Sequence, residues 1–329
     1  MKPVLLHYYI TNRCNAHCEF CSIWRQSVKV DAQKQQVLEN LRAARTAGCR
    51  FVDFTGGEPL LHDDLPVFLK EAKDLGFITS ITTNCIAFEK KAGSLAGLVD
   101  LLHFSIDADT EDLHNKIRGA NSYASVLRSI PLALKHDLVP DLLFTYTNEN
   151  ISSFMGVYEI AIRNKLMVIL DPVFSLDGKD PASSRTHATA CSYASLKGVY
   201  LNTAHCKLRD RGGNDIDSPL CKSVSSTIVI MPDNTLALPC YHHAQDFVPI
   251  SGNLSQAVES SQRLEAKAEQ GRYMFCKGCH INCYFDPSFT FGLSPLFIPS
   301  LSAKARYAFT KYFLYKRKIA FMLFKKRPS

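Results

Sequence analysis

The stretch Cys14-Asn15-Ala16-His17-Cys18-Glu19-Phe20-Cys21 decides how the rest of the chain is interpreted. Its three cysteines have C-x3-C-x2-C spacing and follow the apolar run that begins at Val4. Three thiolates this close together cannot easily pair as disulfides, but they can converge on one metal cluster. A [4Fe-4S] cluster usually takes four cysteines, so three leave one iron free for a non-protein ligand. A zinc site is the alternative interpretation of the same spacing.

Short apolar segments alternate with amphipathic helical stretches from residue 3 to about residue 174. This alternation predicts a parallel sheet with helices outside it. The sequence contains six such units, against the eight of a closed barrel. The predicted strands are about 3–11, 50–54, 78–83, 101–107, 142–146 and 167–170, and predicted helices include about 32–48 and 64–75.

Polar motifs lie at the carboxyl ends of these predicted strands, where parallel α/β proteins bind ligands. Gly56-Gly57-Glu58-Pro59 follows the second strand, Thr83 ends the third, Ser105 lies in the fourth, and Arg118 comes shortly after it. Glycines let the backbone approach a ligand closely, and a carboxylate accepts hydrogen bonds from an ammonium group. Each motif alone also fits an ordinary turn or strand end. The motifs become a specific signal only together, because they follow the cysteine stretch in this order.

Together these segments resemble the radical S-adenosylmethionine (SAM) superfamily over roughly half of the chain. The resemblance implies a partial (β/α)6 TIM barrel in which Cys14, Cys18 and Cys21 hold a catalytic [4Fe-4S] cluster. It also implies that SAM chelates the open iron and is split into methionine and a 5′-deoxyadenosyl radical. In the family the serine at the Ser105 position contacts SAM, and an arginine such as Arg118 often pairs with its carboxylate. The SAM contacts implied by this resemblance are Phe20, Gly56, Gly57, Glu58, Thr83, Ser105 and Arg118.

A second group of cysteines lies in the last third of the chain. A predicted β-hairpin at 226–238 separates Cys221 from Cys240, and a helical stretch at about 254–270 leads to Cys276-Lys277-Gly278-Cys279. Four thiolates are the full complement of a second [4Fe-4S] cluster, and they also suit a structural zinc site. The layout resembles the twitch domain, a shortened form of the SPASM domain that follows the barrel in many radical SAM enzymes.

Cys283 is a fifth cysteine in this region, whereas the full SPASM domain has seven cysteines and two clusters. It either replaces one of the other four or is not a ligand. In similar enzymes an auxiliary cluster relays an electron, binds substrate or supports the fold, and four protein ligands favour electron transfer or support. The remaining cysteines are isolated and are predicted to be core thiols, namely Cys49, Cys85, Cys191 and Cys206.

The composition is that of a globular protein. Hydrophobic residues make up 46% of the 329 residues and charged residues 21%, and no run of eighteen apolar residues predicts a membrane span. The N-terminal apolar run leads directly into the cysteine stretch, which argues against a cleaved signal peptide. Clustered thiolates predict a reducing, low-oxygen cytoplasm.

Basic charge is concentrated in the C-terminal tail. Nine Lys and Arg residues lie in 301–329, more than the net charge of +7, and no acidic residue follows Asp286. On a helix this tail presents aromatic residues opposite lysines that recur every seven residues, namely Lys304, Lys311, Lys318 and Lys325. The tail is predicted either to lie on the inner face of a membrane, or to pack on the barrel with its lysines in water. Charge confined to a tail does not predict nucleic-acid binding.

The sequence therefore predicts a barrel at 1–174, a linker with a helix at 175–220, a twitch/SPASM-like domain at 221–290 and a basic tail at 291–329. The predicted function is that of a radical SAM oxidoreductase. It abstracts hydrogen from an unactivated C–H bond, with the auxiliary cluster as electron partner and flavodoxin or ferredoxin as reductant. The cysteine stretch starts at residue 14, which leaves no room for a preceding peptide-binding domain and favours a small molecule, sugar or lipid-linked precursor. The alternatives are a peptide-modifying enzyme and a non-catalytic electron carrier.

Overall fold

The structure is a computed structural model that describes residues 2–292 and 294–315. Its strands are β1 (Leu5–Thr11), β2 (Phe51–Gly56), β3 (Ile78–Thr83), β4 (Leu101–Ser105), β5 (Pro140–Tyr146), β6 (Val168–Pro172), β7 (Val199–Tyr200), β8 (Thr227–Ile230), β9 (Thr235–Leu238) and β10 (Asp246–Pro249). All ten belong to one sheet, in the order β10-β9-β8-β1-β2-β3-β4-β5-β6-β7.

Helices connect most of these strands. They are α1 (Lys34–Ala47), α2 (Leu65–Asp74), α3 (Phe88–Leu95), α4 (Glu111–Arg118), α5 (Tyr123–Lys135), α6 (Phe154–Arg163), α7 (Ser184–Tyr193), α8 (Thr203–Asp210), α9 (Ser223–Ser226), α10 (Leu254–Val258), α11 (Ser261–Ala268), α12 (Asn282–Thr290) and α13 (Phe297–Ala308). A π-helical turn, Phe309–Leu314, continues α13.

The strands β1 to β7 follow chain order across the sheet, and each pairs in parallel with the next. Helices return the chain between them, so this part is a partial TIM barrel, as the sequence predicts. Along β1, Leu6, Tyr8 and Ile10 are buried in the large core, whereas Tyr9 belongs to a second cluster and the His7 ring packs against α12. This alternation distinguishes a helix-facing outer side of the sheet from an inner side.

The sheet continues beyond the six predicted strands. One continuous helix over 190–209 is not formed, because Gly198 takes a positive φ of 82° and the apolar pair Val199-Tyr200 joins the sheet as β7. The predicted hairpin is present as β8 and β9, and β8 pairs in parallel with β1. The hairpin that precedes Cys240 is therefore an extension of the barrel sheet.

The described part of the basic tail packs on the barrel, but two of its lysines form ion pairs there and do not lie free in water. Lys304 lies 2.9 Å from the carboxylate of Asp286, and the buried Lys311 lies 2.6 Å from that of Asp141. Phe309 and Phe313 are the exposed side chains instead. Lys318 and Lys325 lie outside the described residues. In the part of the chain that the structure describes, no helix has the length and apolarity needed to cross a bilayer.

Candidate active site

The first three cysteines lie in the loop that follows β1. Cys18 is buried, and Cys14 and Cys21 are half-buried. The pKa of Cys14 is raised to about 11, chiefly by burial and also by the nearby charges of Glu58, Cys18 and Cys21. A bound metal deprotonates such thiols, so the donor set fits an iron–sulfur cluster.

The end of α4 holds this loop in place. The backbone N–H of His17 donates to the carbonyl of Arg118, and that of Glu19 donates to the carbonyl of Ile117, both at 3.0 Å. Gly119 ends the helix with φ of 57°, and a Cβ there would lie 2.6 Å from the His17 carbonyl oxygen. Glycine is needed at this contact because it avoids both the clash and the left-handed strain.

Gly56 and Gly57 pack against the backbone that enters the cysteine loop. A Cβ on Gly56 would lie 1.9 Å from the carbonyl oxygen of Thr11, and one on Gly57 would lie 2.0 Å from that of Arg13. The N–H groups of Gly57 and Glu58 donate to these same carbonyls at 2.9 and 2.8 Å. From the sequence, the glycines were expected to let a ligand approach the backbone. In the structure it is the backbone entering the cysteine loop that lies against them.

Glu58 is buried where β2 and β3 end. Its carboxylate accepts hydrogen bonds from the backbone N–H groups of Leu60 and Asn84 at 3.1 and 2.8 Å, and from the Thr83 hydroxyl at 2.8 Å. Burial raises the pKa of Glu58 to about 7, although these three bonds oppose the rise. Asn84 also donates to the side chain of Asn15 at 2.8 Å, which links this network to the cysteine loop. Whether Glu58 also binds SAM stays a prediction.

Arg118 lies directly beside the cysteine loop. Its Nε is 2.5 Å from Oδ2 of Asp107, its Nη1 is 3.7 Å from Sγ of Cys18, and its guanidinium lies over the Phe20 ring at 5.5 Å. Ser105 is buried at the end of β4. Asp107 was not identified as a site residue from the sequence, although it follows Ser105 by two residues. A guanidinium carries five N–H donors, so the ion pair leaves donors that suit a carboxylate ligand.

The structure brings four cysteines of the second set together. Cys221, Cys240, Cys276 and Cys279 line one cavity of about 20 Å³. The pKa values of Cys240 and Cys276 are both raised to about 12, chiefly by burial and also by the neighbouring Cys221. Within residues 2–292 and 294–315, no three His, Cys, Asp or Glu side chains are grouped to hold a single metal ion. In a [4Fe-4S] cluster each cysteine binds a different iron, which suits thiols that surround a cavity.

Asn214 organises this cavity and was not identified from the sequence. Its side-chain nitrogen donates to the carbonyls of Gly271 and Cys276 at 2.8 and 3.2 Å, and its oxygen accepts from the Cys221 N–H at 3.3 Å. A buried amide with these partners ties together the two chain segments that carry Cys221 and Cys276. Its position after a loop glycine pair gave no signal in the sequence.

Cys283 lies outside the four-cysteine cavity. Its sulfur is 3.8 Å from Nε2 of His242, and it lines a different space on the inner side of the sheet. Of the two interpretations from the sequence, this placement supports the one in which Cys283 is not a ligand.

A pocket of about 400 Å³ lies between the two cysteine sets. Its lining includes Phe20 and Cys21 from the first cysteine loop, Arg25, Asp171 from β6, and His242, two residues after Cys240. Apolar walls with a few convergent polar groups are typical of small-molecule sites.

Two stacked tyrosines also connect the sets. The rings of Tyr9 and Tyr241 are 4.1 Å apart and nearly parallel, at 8°. Tyr241 directly follows Cys240, and its pKa is raised to about 12 by burial and then by the charge of Cys21. The hydroxyl of Tyr284 accepts the Tyr241 N–H at 2.8 Å and fixes this backbone. The pair therefore spans from the first cysteine loop to the second cysteine set.

The partial barrel and its cysteine loop define an iron–sulfur protein of the α/β class. The model of the family described as "Radical SAM superfamily" matches residues 8–161. These residues form a radical SAM domain, the domain of a family whose enzymes use a [4Fe-4S] cluster and SAM.

Two relatives share part of the chain. A protein of Saccharolobus solfataricus described as "Probable GTP 3′,8-cyclase" is 32% identical over 169 residues, 47% of this chain and 54% of the relative. The "GTP 3′,8-cyclase" of Clostridium acetobutylicum is 32% identical over 142 residues, 41% of this chain and 44% of the relative. The chain thus spans about half the length of the curated relatives it matches.

Solved structures support the fold over nearly the whole chain. Streptococcus suis SuiB bound to S-adenosylmethionine superimposes with a TM-score of 0.63 at 18% identity, covering 90% of this chain and 76% of SuiB. SuiB bound to the precursor peptide SuiA gives 0.64 at 17% identity, over 89% and 74%. The protein anSMEcpe with bound AdoMet gives 0.64 at 14% identity, over 95% and 99%.

Proposed function

We propose that this chain cleaves SAM reductively at a [4Fe-4S] cluster held by Cys14, Cys18 and Cys21, and abstracts hydrogen from an unactivated C–H bond of a small molecule. The observation that carries the proposal is the pocket of about 400 Å³, which is lined by Cys21 on one side and by His242 on the other. A substrate there lies next to the radical source and close to the second cysteine set.

The chain's own residues prepare the site for this chemistry. The Arg118 guanidinium donates a hydrogen bond to the sulfur of Cys18 and so places a positive charge beside this proposed ligand. Asp107 fixes the orientation of this arginine, because the two form a buried ion pair. The rings of Phe20 and Phe174 line the pocket and exclude water from the reacting groups. When bound, the cluster and SAM supply the radical, and the protein orients and shields it.

The four-cysteine cavity is proposed to hold an auxiliary [4Fe-4S] cluster that accepts an electron from the substrate radical. The stacked rings of Tyr9 and Tyr241 support this role, since Tyr241 directly follows Cys240 in the chain and its pKa responds to the charge of Cys21. A structural zinc ion in the same cavity is the competing proposal. Metal analysis of the protein distinguishes the two.

The substrate is proposed to be a small molecule, sugar or lipid precursor. The pocket has the volume of a small-molecule site, and two relatives are named for a reaction of GTP. The competing proposal is a peptide substrate, and it is favoured by the complex of SuiB with its precursor peptide, a protein of the same fold.

The protein is proposed to work in the cytoplasm with flavodoxin or ferredoxin as reductant, and to touch the membrane through 301–329. Exposed apolar side chains along α13 and its continuation support the membrane contact, namely Ile298, Leu301, Phe309 and Phe313. Co-sedimentation with anionic liposomes tests it. We expect binding that the double change Phe309→Ser and Phe313→Ser abolishes, and unchanged binding contradicts the proposal.

The whole proposal is tested by anaerobic reconstitution, iron analysis and assay of 5′-deoxyadenosine. We expect about eight irons per chain, about four after triple replacement of Cys14, Cys18 and Cys21 by Ala, and product only with the triad intact. Cys191→Ser serves as the matched control, since this half-buried thiol lies in neither set. Zinc without iron, or no 5′-deoxyadenosine from protein that holds both clusters, contradicts the proposal.

A further inference from the structure

The inner side of the barrel sheet is polar where a packed barrel is apolar. In closed barrels of this type the inward positions carry bulky branched residues that fill the interior. Here the inner side presents His7 from β1, Asp53 from β2, Thr82 from β3, His103 from β4 and Asp171 from β6. Most of these groups pair with one another or with Asn282, but Nε2 of His7 is buried without a partner. A buried polar atom without a partner costs free energy, and a ligand in the chamber can supply that partner.

These side chains line a chamber of about 530 Å³. The chamber begins at the amino-terminal ends of the strands, where Leu5, Phe51 and Leu101 line it, and is covered by α8, α12 and α13. The cysteine loop lies at the opposite, carboxyl ends of the strands. Among the described residues, Asp171 alone lines both this chamber and the pocket beside Cys21. The chamber is therefore a space distinct from the proposed reaction pocket.

One wall of the chamber holds a histidine–carboxylate pair. Nδ1 of His7 lies 3.1 Å from Oδ2 of Asp53, and because a carboxylate only accepts, the ring N–H donates. Burial alone would raise the pKa of Asp53, but the hydrogen bond and charge of His7 outweigh it and hold the pKa below its ordinary value. The other ring nitrogen, Nε2, is buried without a hydrogen-bond partner. In the tautomer that carries its hydrogen on Nδ1, Nε2 can accept a hydrogen bond from a ligand.

The opposite wall holds a second carboxylate. Asp286 accepts from Asn202 at 2.6 Å and lies 2.9 Å from the ammonium of Lys304. Burial opposes ionisation, but the charge of Lys304 and the hydrogen bond from Asn202 keep the pKa of Asp286 below its ordinary value. The His205 side chain is 5% exposed, and its Nδ1 has no partner. Burial lowers the pKa of His205 to about 3, so the ring is neutral.

The lining therefore combines negative charge with hydrogen-bond acceptors. Asp53 and Asp286 are ionised, and Lys304 supplies one positive charge against them. Asp171 is close enough to Asp286 that the negative charge of Asp286, after burial, helps raise the pKa of Asp171 to about 6. A cation near these carboxylates relieves their mutual repulsion, and hydroxyl groups donate to the unpaired acceptors.

We propose that this chamber is a second ligand site, which binds a small primary amine that also carries hydroxyl groups. Its ammonium lies among the carboxylates of Asp53, Asp171 and Asp286, and its hydroxyls meet the imidazoles of His7 and His205. The site is independent of the proposed radical chemistry, because its lining contains none of the seven cysteines assigned to the two clusters.

Calorimetric titration of the anaerobically reconstituted protein tests the site. The probes are glucosamine and ethanolamine, with N-acetylglucosamine as the match that lacks the cationic amine. We expect both amines to bind and the neutral sugar to bind at least about tenfold more weakly, as expected for loss of a buried charge contact. Binding of neither amine, or equal binding of glucosamine and N-acetylglucosamine, overturns the proposal.

Variants of chamber residues test whether the amine binds in the chamber. Asp53→Asn and Asp286→Asn are each expected to weaken glucosamine at least about tenfold, while Asp63→Asn, on a side chain that is 96% exposed, is expected to leave it unchanged. Ser80→Leu narrows the chamber without changing its charge and is expected to weaken binding as well. Each variant is first checked for native circular dichroism. Amine binding that survives in all folded chamber variants overturns the proposal.

Discussion

The two cysteine sets are built in opposite ways. The first comes from eight consecutive residues in one loop, whereas the second is gathered from segments that lie up to 58 residues apart in sequence. The first loop adjoins an open pocket of about 400 Å³, while the second set surrounds a cavity of about 20 Å³. Three ligands beside an open pocket suit a cluster that binds a small molecule, and four ligands around a closed cavity suit one that does not. The difference supports the proposal that the first set carries the chemistry and the second serves electron transfer or support.

Removing one ligand of the first set gives the largest expected effect. Cys21→Ala should abolish release of 5′-deoxyadenosine from SAM, because the cluster loses one of its three protein ligands. The four-cysteine cavity should keep about four irons per chain. Iron analysis and chromatography of the product measure both. A variant that still releases 5′-deoxyadenosine at the wild-type rate contradicts the assignment.

Removing ligands of the second set should separate the two functions. The double change Cys276→Ala and Cys279→Ala should leave SAM cleavage detectable while lowering the thermal midpoint of unfolding, because bound metal stabilises the fold. The Cys191→Ser variant is the control for loss of a thiol. If the double variant loses all SAM cleavage while the first cluster is intact, then SAM cleavage also requires the second set, which contradicts the prediction.

The close packing of Gly56 against the backbone that enters the first loop predicts the next largest effect, a loss of stability. Gly56→Ala should destabilise the protein by about 3 kcal/mol or more, since its Cβ would lie 1.9 Å from the Thr11 carbonyl oxygen at φ of 137°. Gly97→Ala is the matched control, with φ of 74° but nothing within 4 Å, and should cost about 1 kcal/mol. Chemical denaturation measures both. Equal losses in the two variants would show that φ, and not contact with the cysteine loop, limits residue 56.

Glu58 gives the smallest predicted effect, through pH. Its folded pKa is about 7 against an ordinary 4.5, so the unfolded state releases this proton first and stability falls as pH rises from about 4.5 to 7. The loss is about 3 kcal/mol at most. Glu58→Gln should remove this pH dependence, whereas the exposed Glu39→Gln should retain it. The measurement is the denaturation midpoint of each protein between pH 5 and pH 8. If the midpoint of Glu58→Gln changes with pH in parallel with that of the wild type, the prediction is wrong.

Local patterns in the sequence predicted much of this organisation. The short spacing of Cys14, Cys18 and Cys21 by itself places the three cysteines in one loop. The alternation of apolar residues predicted the first six strands to within a few residues. The grouping of Cys221 with Cys276 also followed from a pattern, because hairpin and helix signals place cysteines at predictable ends of elements. These are features that near neighbours in sequence determine.

Long-range contacts explain what the sequence did not show. The pairing of β8 with β1 joins residues more than two hundred apart, and the burial of Lys311 depends on Asp141 in a distant strand. The reason for Gly56 is a carbonyl at Thr11, not a ligand. The polar chamber depends on side chains from seven strands and three helices that meet on one side of the sheet. Such contacts leave no periodic trace in any one segment.

Electron paramagnetic resonance of the reduced, reconstituted protein tests the central difference between the two sets most directly. Spectra are recorded with and without SAM for the wild type, for the Cys276→Ala and Cys279→Ala double variant, and for the variant that lacks Cys14, Cys18 and Cys21. We expect SAM to change the signal of the wild type and of the double variant, and to leave the signal of the triad variant unchanged. A signal from the four-cysteine cavity that responds to SAM, or a first-loop signal that does not, would contradict the account.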